Sequence, residues 1–158
     1  MSDKIKTYEE LLIIVPQLKK QGKTIIWTNG CFDILHVGHI RHLNESKEKG
    51  DFLIVGLNSD SSVKAVKGPD RPKIPQRERA EILSALSSVD FILIYDEQSP
   101  VGHIQSLKPD VYVKGGEYNI DTCNQEERRV VESYGGKIAF TSDKVNSTTD
   151  IIKKIKND

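Results

Sequence analysis

Short apolar runs rich in β-branched and aromatic residues recur along the chain, at KTIIWT (23–28), DFLIVGLN (51–58), FILIYD (91–96), DVYVKG (110–115) and KIAFT (137–141). Most lack the in–out alternation of a strand with one wet face, so they read as strands covered on both sides. Between them the apolar spacing turns helical. Thr7 and Glu10 form a capping box ahead of ELLIIV, predicting a helix over about 7–21 that Pro16 kinks or ends. Ile40 and Leu43 share one helical face, with Gly50 placed to close that helix. PQRERAEILSALSSV (75–89), SPVGHIQSLK (99–108), NQEERRVVESYGG (124–136) and STTDIIKKIK (147–156) complete the set, with Pro75 suited to a first helical turn. The alternation predicts an α/β, Rossmann-like doubly wound fold: a five-stranded parallel sheet with helices on both faces. It is read as one domain, a helix at about 7–21 leading into a core at about 23–158. The proline-rich, basic stretch VKAVKGPDRPKIP (63–75) is expected to be a flexible loop.

Composition narrows the partners. With 158 residues and 37% hydrophobic content the chain can bury a proper core. Its 23 basic and 23 acidic residues cancel, and no aromatic-basic stripe is present, so neither nucleic acid nor a membrane surface is an expected partner. The polar N-terminus is not a signal or transit peptide, and no apolar run is long enough for a membrane span, so the expected compartment is the cytoplasm. Cys31 and Cys123 share no metal-type spacing and read as free thiols. NES (44–46) and NST (146–148) match the glycosylation pattern by chance.

Chemistry concentrates where the first strand meets a helix, in TNGCFDILHVGHIRHL (28–43). Neither G-x-G-x-x-G nor a Walker-type loop occurs. Instead Gly30 and Gly38 permit close backbone approach, and His36 and His39, three apart, face the same way on a first helical turn. Two imidazoles beside unpaired helix N–H groups make a seat for phosphate. Two histidines with ordinary hydrogen bonds fit the same spacing, while zinc lacks further ligands at metal spacing. Ser147-Thr148-Thr149 opens the last helix, with Lys144 before it, and reads either as a plain N-cap or as a second anion seat. In a doubly wound sheet the two helix starts can meet beyond the strand ends.

GCFDILHVGH resembles the H-x-G-H signature of the cytidylyltransferase-like nucleotidyltransferases, and STTDII resembles that superfamily's C-terminal helix start. The finer resemblance is to its adenylyltransferases that form ADP-heptose. It is carried in order by TNGCFDILHVGHIRHL, LNSDSSVKAVKGPDRP, VDFILIYDEQSP, VKGGEY and STTDIIKKI. No segment resembles the sugar kinase fused to many of these enzymes, which implies a stand-alone form. Related glycerol-phosphate cytidylyltransferases carry RTEGI before Ser-Thr-Thr. Here SDKVN (142–146) stands instead, which removes an arginine, and Lys144 offers a charge at a different position.

The resemblance implies transfer of AMP from ATP to a sugar 1-phosphate by in-line displacement, with loss of pyrophosphate. His36, His39 and Lys67 would be catalytic, with Lys64 a weaker candidate. Thr28, Asn29, Gly30, Cys31, Phe32, Gly38, Lys114, Gly115, Glu117, Ser147, Thr148 and Thr149 would hold the nucleotide. Asp33, Asn58, Asp60, Arg79 and Tyr118 would meet substrate, with Arg79 preferred over Arg77 as a phosphate contact. Mg²⁺ would be held mainly by the ATP phosphates, with no protein metal site. A homodimer is implied. His42 and His103 are left as structural or surface residues. Glycerol-3-phosphate cytidylyltransferase chemistry is the alternative reaction, and a catalytically silent nucleotide sensor the alternative class.

Overall fold

The computed structural model describes residues 2–142 and 147–157; Lys144 lies outside them. Helix α1 (Tyr8–Lys20) opens on the Thr7–Glu10 capping box. It runs through Pro16 rather than ending there, because Leu11 and Val15 are pressed into the core on either side of the lost backbone bond. It closes where Gly22, at φ +76°, turns left-handed, with the Gly22 and Lys23 N–H groups donating to Lys19 and Leu18 carbonyls. The chain continues as β1 (Ile25–Gly30), α2 (Val37–Lys47), β2 (Phe52–Asn58), α3 (Asp60–Lys67), α4 (Gln76–Ser84) and β3 (Phe91–Tyr95). Then follow α5 (Val101–Leu107), β4 (Val111–Lys114), α6 (Gln125–Ser133), β5 (Lys137–Phe140) and α7 (Thr148–Lys156).

The expected five-stranded parallel sheet is present, in the order β3-β2-β1-β4-β5. Its strands divide their apolar residues between two cores. Ile25, Trp27, Ile54, Leu93 and Tyr112 face Leu11, Ile104 and Val131 from α1, α5 and α6. Ile26, Leu53, Val55, Leu57, Ile92 and Val113 face Leu43, Ala80 and Leu83 from α2 and α4. Burial on both faces is why the strands read as continuous apolar runs. Gly56, inside β2, makes room for an indole: a Cβ there would stand 2.4 Å from Trp27 Cζ2.

Three local features depart from the sequence reading. The expected loop at 63–75 begins as helix, since Ser59 caps α3 and Val63 is buried beneath it. The helix expected over 75–89 stops at Ser84, while Leu83 and Val89 still reach the core through a turn. The N-terminal segment lies along β3, with Lys6 N–H donating to Ile92 O (2.9 Å) and Ile92 N–H to Lys4 O (2.8 Å), so part of that edge is covered.

Candidate active site

The strand order reverses between β1 and β4, and there the sheet opens. The two strands pair at Ile26–Val111 and Trp27–Tyr112 and then part. Past that point the side chain of Thr28 takes over: its hydroxyl donates to Val113 O (2.9 Å), which leaves it to accept from His42 Nε2 at 2.8 Å. His42 Nδ1 meets the Thr141 hydroxyl at 3.0 Å, and burial lowers its pKa. A neutral His42 protonated on Nε2 thus ties β1 to the end of β5 beneath the gap. Above it lies a cleft of about 620 Å³, within the usual range for a small-molecule site.

His36 caps α2 from an extended conformation, and its N–H donates to His39 Nδ1 at 3.4 Å. A ring that accepts on Nδ1 carries its neutral proton on Nε2. Burial, aided by His36 and His42, lowers His39 to about 4, and burial lowers His36 too. Their rings stack at 3.8 Å. Both ring nitrogens of His36 are buried without a hydrogen-bond partner among the described residues, an unfavourable state that a ligand would relieve. Phe32, at φ +42°, packs its ring 5.1 Å from His39. This left-handed backbone is unusual for an aromatic residue.

Helix α7 reaches the same cleft, and Ser147 is its N-cap. The Ser147 oxygen accepts from Asp150 N–H (3.2 Å) and Thr148 donates to Ile34 O (3.0 Å), which docks α7 onto the loop before α2. Two of the three hydroxyls are therefore already engaged, and Thr149 with the first-turn N–H groups faces the opening. Lys67, exposed on the last turn of α3, lines the cleft. Burial raises the Cys31 thiol pKa, and Lys67, Arg79 and Arg71 pull it part of the way back.

At the end of β4, Lys114 Nζ stands 3.3 Å from Glu127, a buried carboxylate that also accepts from Tyr112 and Ser99. The Lys114 ammonium lies 5.5 Å from the Tyr118 ring. Gly115 is bare because the Glu117 carboxylate folds over it: a Cβ would meet Oε2 at 2.3 Å. Asn29, Gly30, Gly38 and Asn58 also line the cleft.

Four residues expected to meet substrate have other occupations. The buried Asn58 amide accepts from the Tyr95 hydroxyl (3.0 Å) and donates to the Ser62 hydroxyl (2.8 Å). Arg79, 1% exposed, donates to the carbonyls of Asn58 (2.8 Å), Ile74 (2.9 Å) and Cys31 and to Asp60 (2.8 Å). It clamps the ends of β1 and β2 and is not a phosphate contact. Asp60 is held by Arg79 and by the Gln76 N–H (2.8 Å), away from the cleft. Asp33 touches the cleft, but its carboxylate accepts from the Lys73 and Ile74 N–H groups and from Arg71 Nε (2.6 Å), latching the loop after α3 to the end of β1. These donors lower its pKa against the opposing effect of burial. His42, read as structural or surface, is structural: it ties Thr28 to Thr141. Gln98, Asn124 and Glu127 are among the cleft residues the sequence reading did not name, and for Glu127, inside a charged helix, no local signal marked it.

A family model described as Cytidylyltransferase-like matches residues 27–154. The chain is 49% identical over 156 residues to a bifunctional protein HldE of Geotalea uraniireducens and 46% identical over 154 residues to that of Syntrophotalea carbinolica. These alignments cover 97% and 96% of this chain, which spans about a third (31%) of the length of each relative. Among solved structures, a lipopolysaccharide core biosynthesis protein from Thermoplasma volcanium superposes with a TM-score of 0.66 at 29% identity, covering 78% of this chain and 100% of that one. A pantoate-beta-alanine ligase from Francisella tularensis, bound to an ATP analogue and beta-alanine, shares the fold with a TM-score of 0.62 at 16% identity, over 96% of this chain and 76% of its own.

Proposed function

Because the chain belongs to the cytidylyltransferase-like family, we propose that it transfers AMP from ATP to heptose 1-phosphate, giving ADP-heptose and pyrophosphate. The observation that carries this is the convergence of two helix N-termini, one bearing the stacked neutral pair His36–His39, on a single cleft at the sheet's switch point. Adenine and heptose are supported by the ordered segments that resemble ADP-heptose-forming enzymes. Similarity to the HldE proteins and to a lipopolysaccharide core biosynthesis protein supports the same choice.

In the proposed reaction an oxygen of the sugar phosphate attacks the α-phosphorus. The bond from that phosphorus to the α,β-bridging oxygen breaks, and the electron pair leaves with pyrophosphate. His36 and His39 donate N–H to the α- and β-phosphate oxygens as charge moves toward the leaving group. Thr149, the first-turn N–H groups of α7 and Lys67 hold the outer phosphates. Cys31, the soft nucleophile beside the site, is kept as a thiol by burial, which favours direct displacement over a covalent intermediate.

The donor set suits a metal brought by the nucleotide. Among the described residues no group of three or more His, Cys, Asp or Glu side chains is arranged to hold a metal. Of the cleft carboxylates, Asp33, Glu127 and Asp150 already accept protein donors, and Glu117 lies over Gly115 as a single further carboxylate. Mg²⁺ would be held by phosphate oxygens and water, and would supply charge neutralisation to the triphosphate. No described helix is long and apolar enough to cross a membrane, and soluble substrates of this kind fit a cytoplasmic enzyme; the homodimer rests on the family resemblance alone, and light scattering would report it. The reading is tested by pyrophosphate release, crossing ATP and CTP with both anomers of heptose 1-phosphate and with glycerol 3-phosphate. Turnover with ATP and one heptose anomer is expected. Turnover with CTP and glycerol 3-phosphate would overturn the substrate, and nucleotide binding without turnover would leave a sensor.

A further inference from the structure

One wall of the cleft, between the end of β3 and the start of α6, has no part in the phosphate chemistry. Its hydrogen-bond acceptors are turned inward. Asn58 Oδ1 accepts from the Tyr95 hydroxyl (3.0 Å), and Asn124 Oδ1 caps α6 by accepting from the Glu126 (3.0 Å) and Glu127 (3.1 Å) N–H groups. Glu127, 3% exposed, accepts from Ser99 (2.9 Å) and Tyr112 and pairs with Lys114 at 3.3 Å. What remains toward the cleft is mostly donors: the Asn124 amide nitrogen, the outer N–H groups of Lys114, and the Gln98 amide, which can both donate and accept and has no protein partner among the described residues.

The ion pair decides which ligand suits such a wall. A phosphate seat needs cations not already compensated, and here the ammonium has its counter-charge 3.3 Å away. A neutral, hydroxyl-rich chain needs what the wall offers, N–H groups aimed at oxygen lone pairs without net charge. We propose that this wall seats the hydroxyl-bearing carbon chain of the acceptor, with Asn124, Gln98 and Lys114 as specificity-determining groups, Lys114 thereby leaving the nucleotide-contact role that the resemblance implies, and Glu127 as the positioning residue that neutralises Lys114. The proposal rests on the sugar-phosphate reading above. It directs the acceptor's phosphate away from Lys114, toward the histidine pair.

Two substitutions test it without disturbing the fold. Asn124→Asp keeps the helix cap and removes the N–H donor, and Gln98→Ala trims an exposed side chain. In steady-state kinetics with ATP and heptose 1-phosphate, each is expected to raise the KM for the sugar phosphate about fivefold, the loss of one hydrogen bond. The KM for ATP and the melting temperature are expected to stay at the wild-type values. A rise confined to the KM for ATP would assign the wall to the nucleotide and overturn the proposal, as would no change in either KM. The wild type separates this failure from that of the parent reading. If it uses a different phosphorylated polyol, and the variants raise that acceptor's KM alone, the wall stands and the heptose does not. A wild type that turns over no phosphorylated polyol overturns both.

Discussion

The imidazole rings of His36 and His39 stack with centroids 3.8 Å apart and planes 27° from parallel. Two imidazolium ions so placed would repel, whereas two neutral rings pack as aromatics. With His39 at about 4 and His36 also lowered by burial, the pair is neutral near pH 7. Neutral rings can still donate N–H to a phosphate, and they do so without the cost of burying a charge of their own.

The same burial gives a pH signature. Unfolded, His39 would titrate near 6.5; folded it titrates at about 4. Between those values the unfolded chain binds more protons, so stability rises with pH. The contribution is complete above about 6.5 and is lost as pH falls toward 4. His36 and His42, lowered in the same way, add to it. Asp33 acts below this window, since its pKa is depressed from 3.8. Differential scanning fluorimetry is expected to show a melting temperature flat above pH 7 and lower by at least ~3 °C at pH 4.5, with a shallower slope in His39→Asn. A flat profile would contradict the buried neutral pair.

Arg79 is expected to matter for folding rather than for binding. Arg79→Met strands the carbonyls of Cys31, Asn58 and Ile74 and leaves Asp60 without its cation. The expected loss is about 3–5 kcal/mol in urea denaturation. An unchanged midpoint with a raised KM for ATP would restore the phosphate-contact reading.

Gly56→Ala places a methyl group 2.4 Å from Trp27 Cζ2, in a core with no slack. The expected loss is about 1–3 kcal/mol. In a Trp27→Phe background, where that ring edge is trimmed, the additional loss from Gly56→Ala should shrink; equal losses in both backgrounds would show that the indole is not what excludes the methyl.

What could be read from the sequence follows from the range of each interaction. The strands and the Thr7 and Ser147 caps leave signals within a few residues, and those held. Helix α3 was absorbed into a loop because its cap at Ser59 and its buried Val63 are outweighed by the prolines and charges that follow. The strand order β3-β2-β1-β4-β5 was not legible, since short apolar runs look alike. The clamp of Arg79 on Cys31 joins residues 48 apart, and the latch of Asp33 on Arg71 joins residues 38 apart. No local spacing announces such contacts, so polar side chains that hold the site together read as substrate contacts. His42 was legible as structural but its partners were not, since Thr28 and Thr141 lie on separate strand ends.

The account turns on the histidine pair being the reaction centre. The most direct test is pyrophosphate release from ATP and heptose 1-phosphate by the wild type and by His39→Ala, with folding checked by circular dichroism. The expected result is a folded variant whose kcat falls by roughly 100-fold or more, as for other lost charge-stabilising donors. A folded variant turning over at the wild-type rate would contradict the account and leave His36 and His39 as ordinary packing at a helix start.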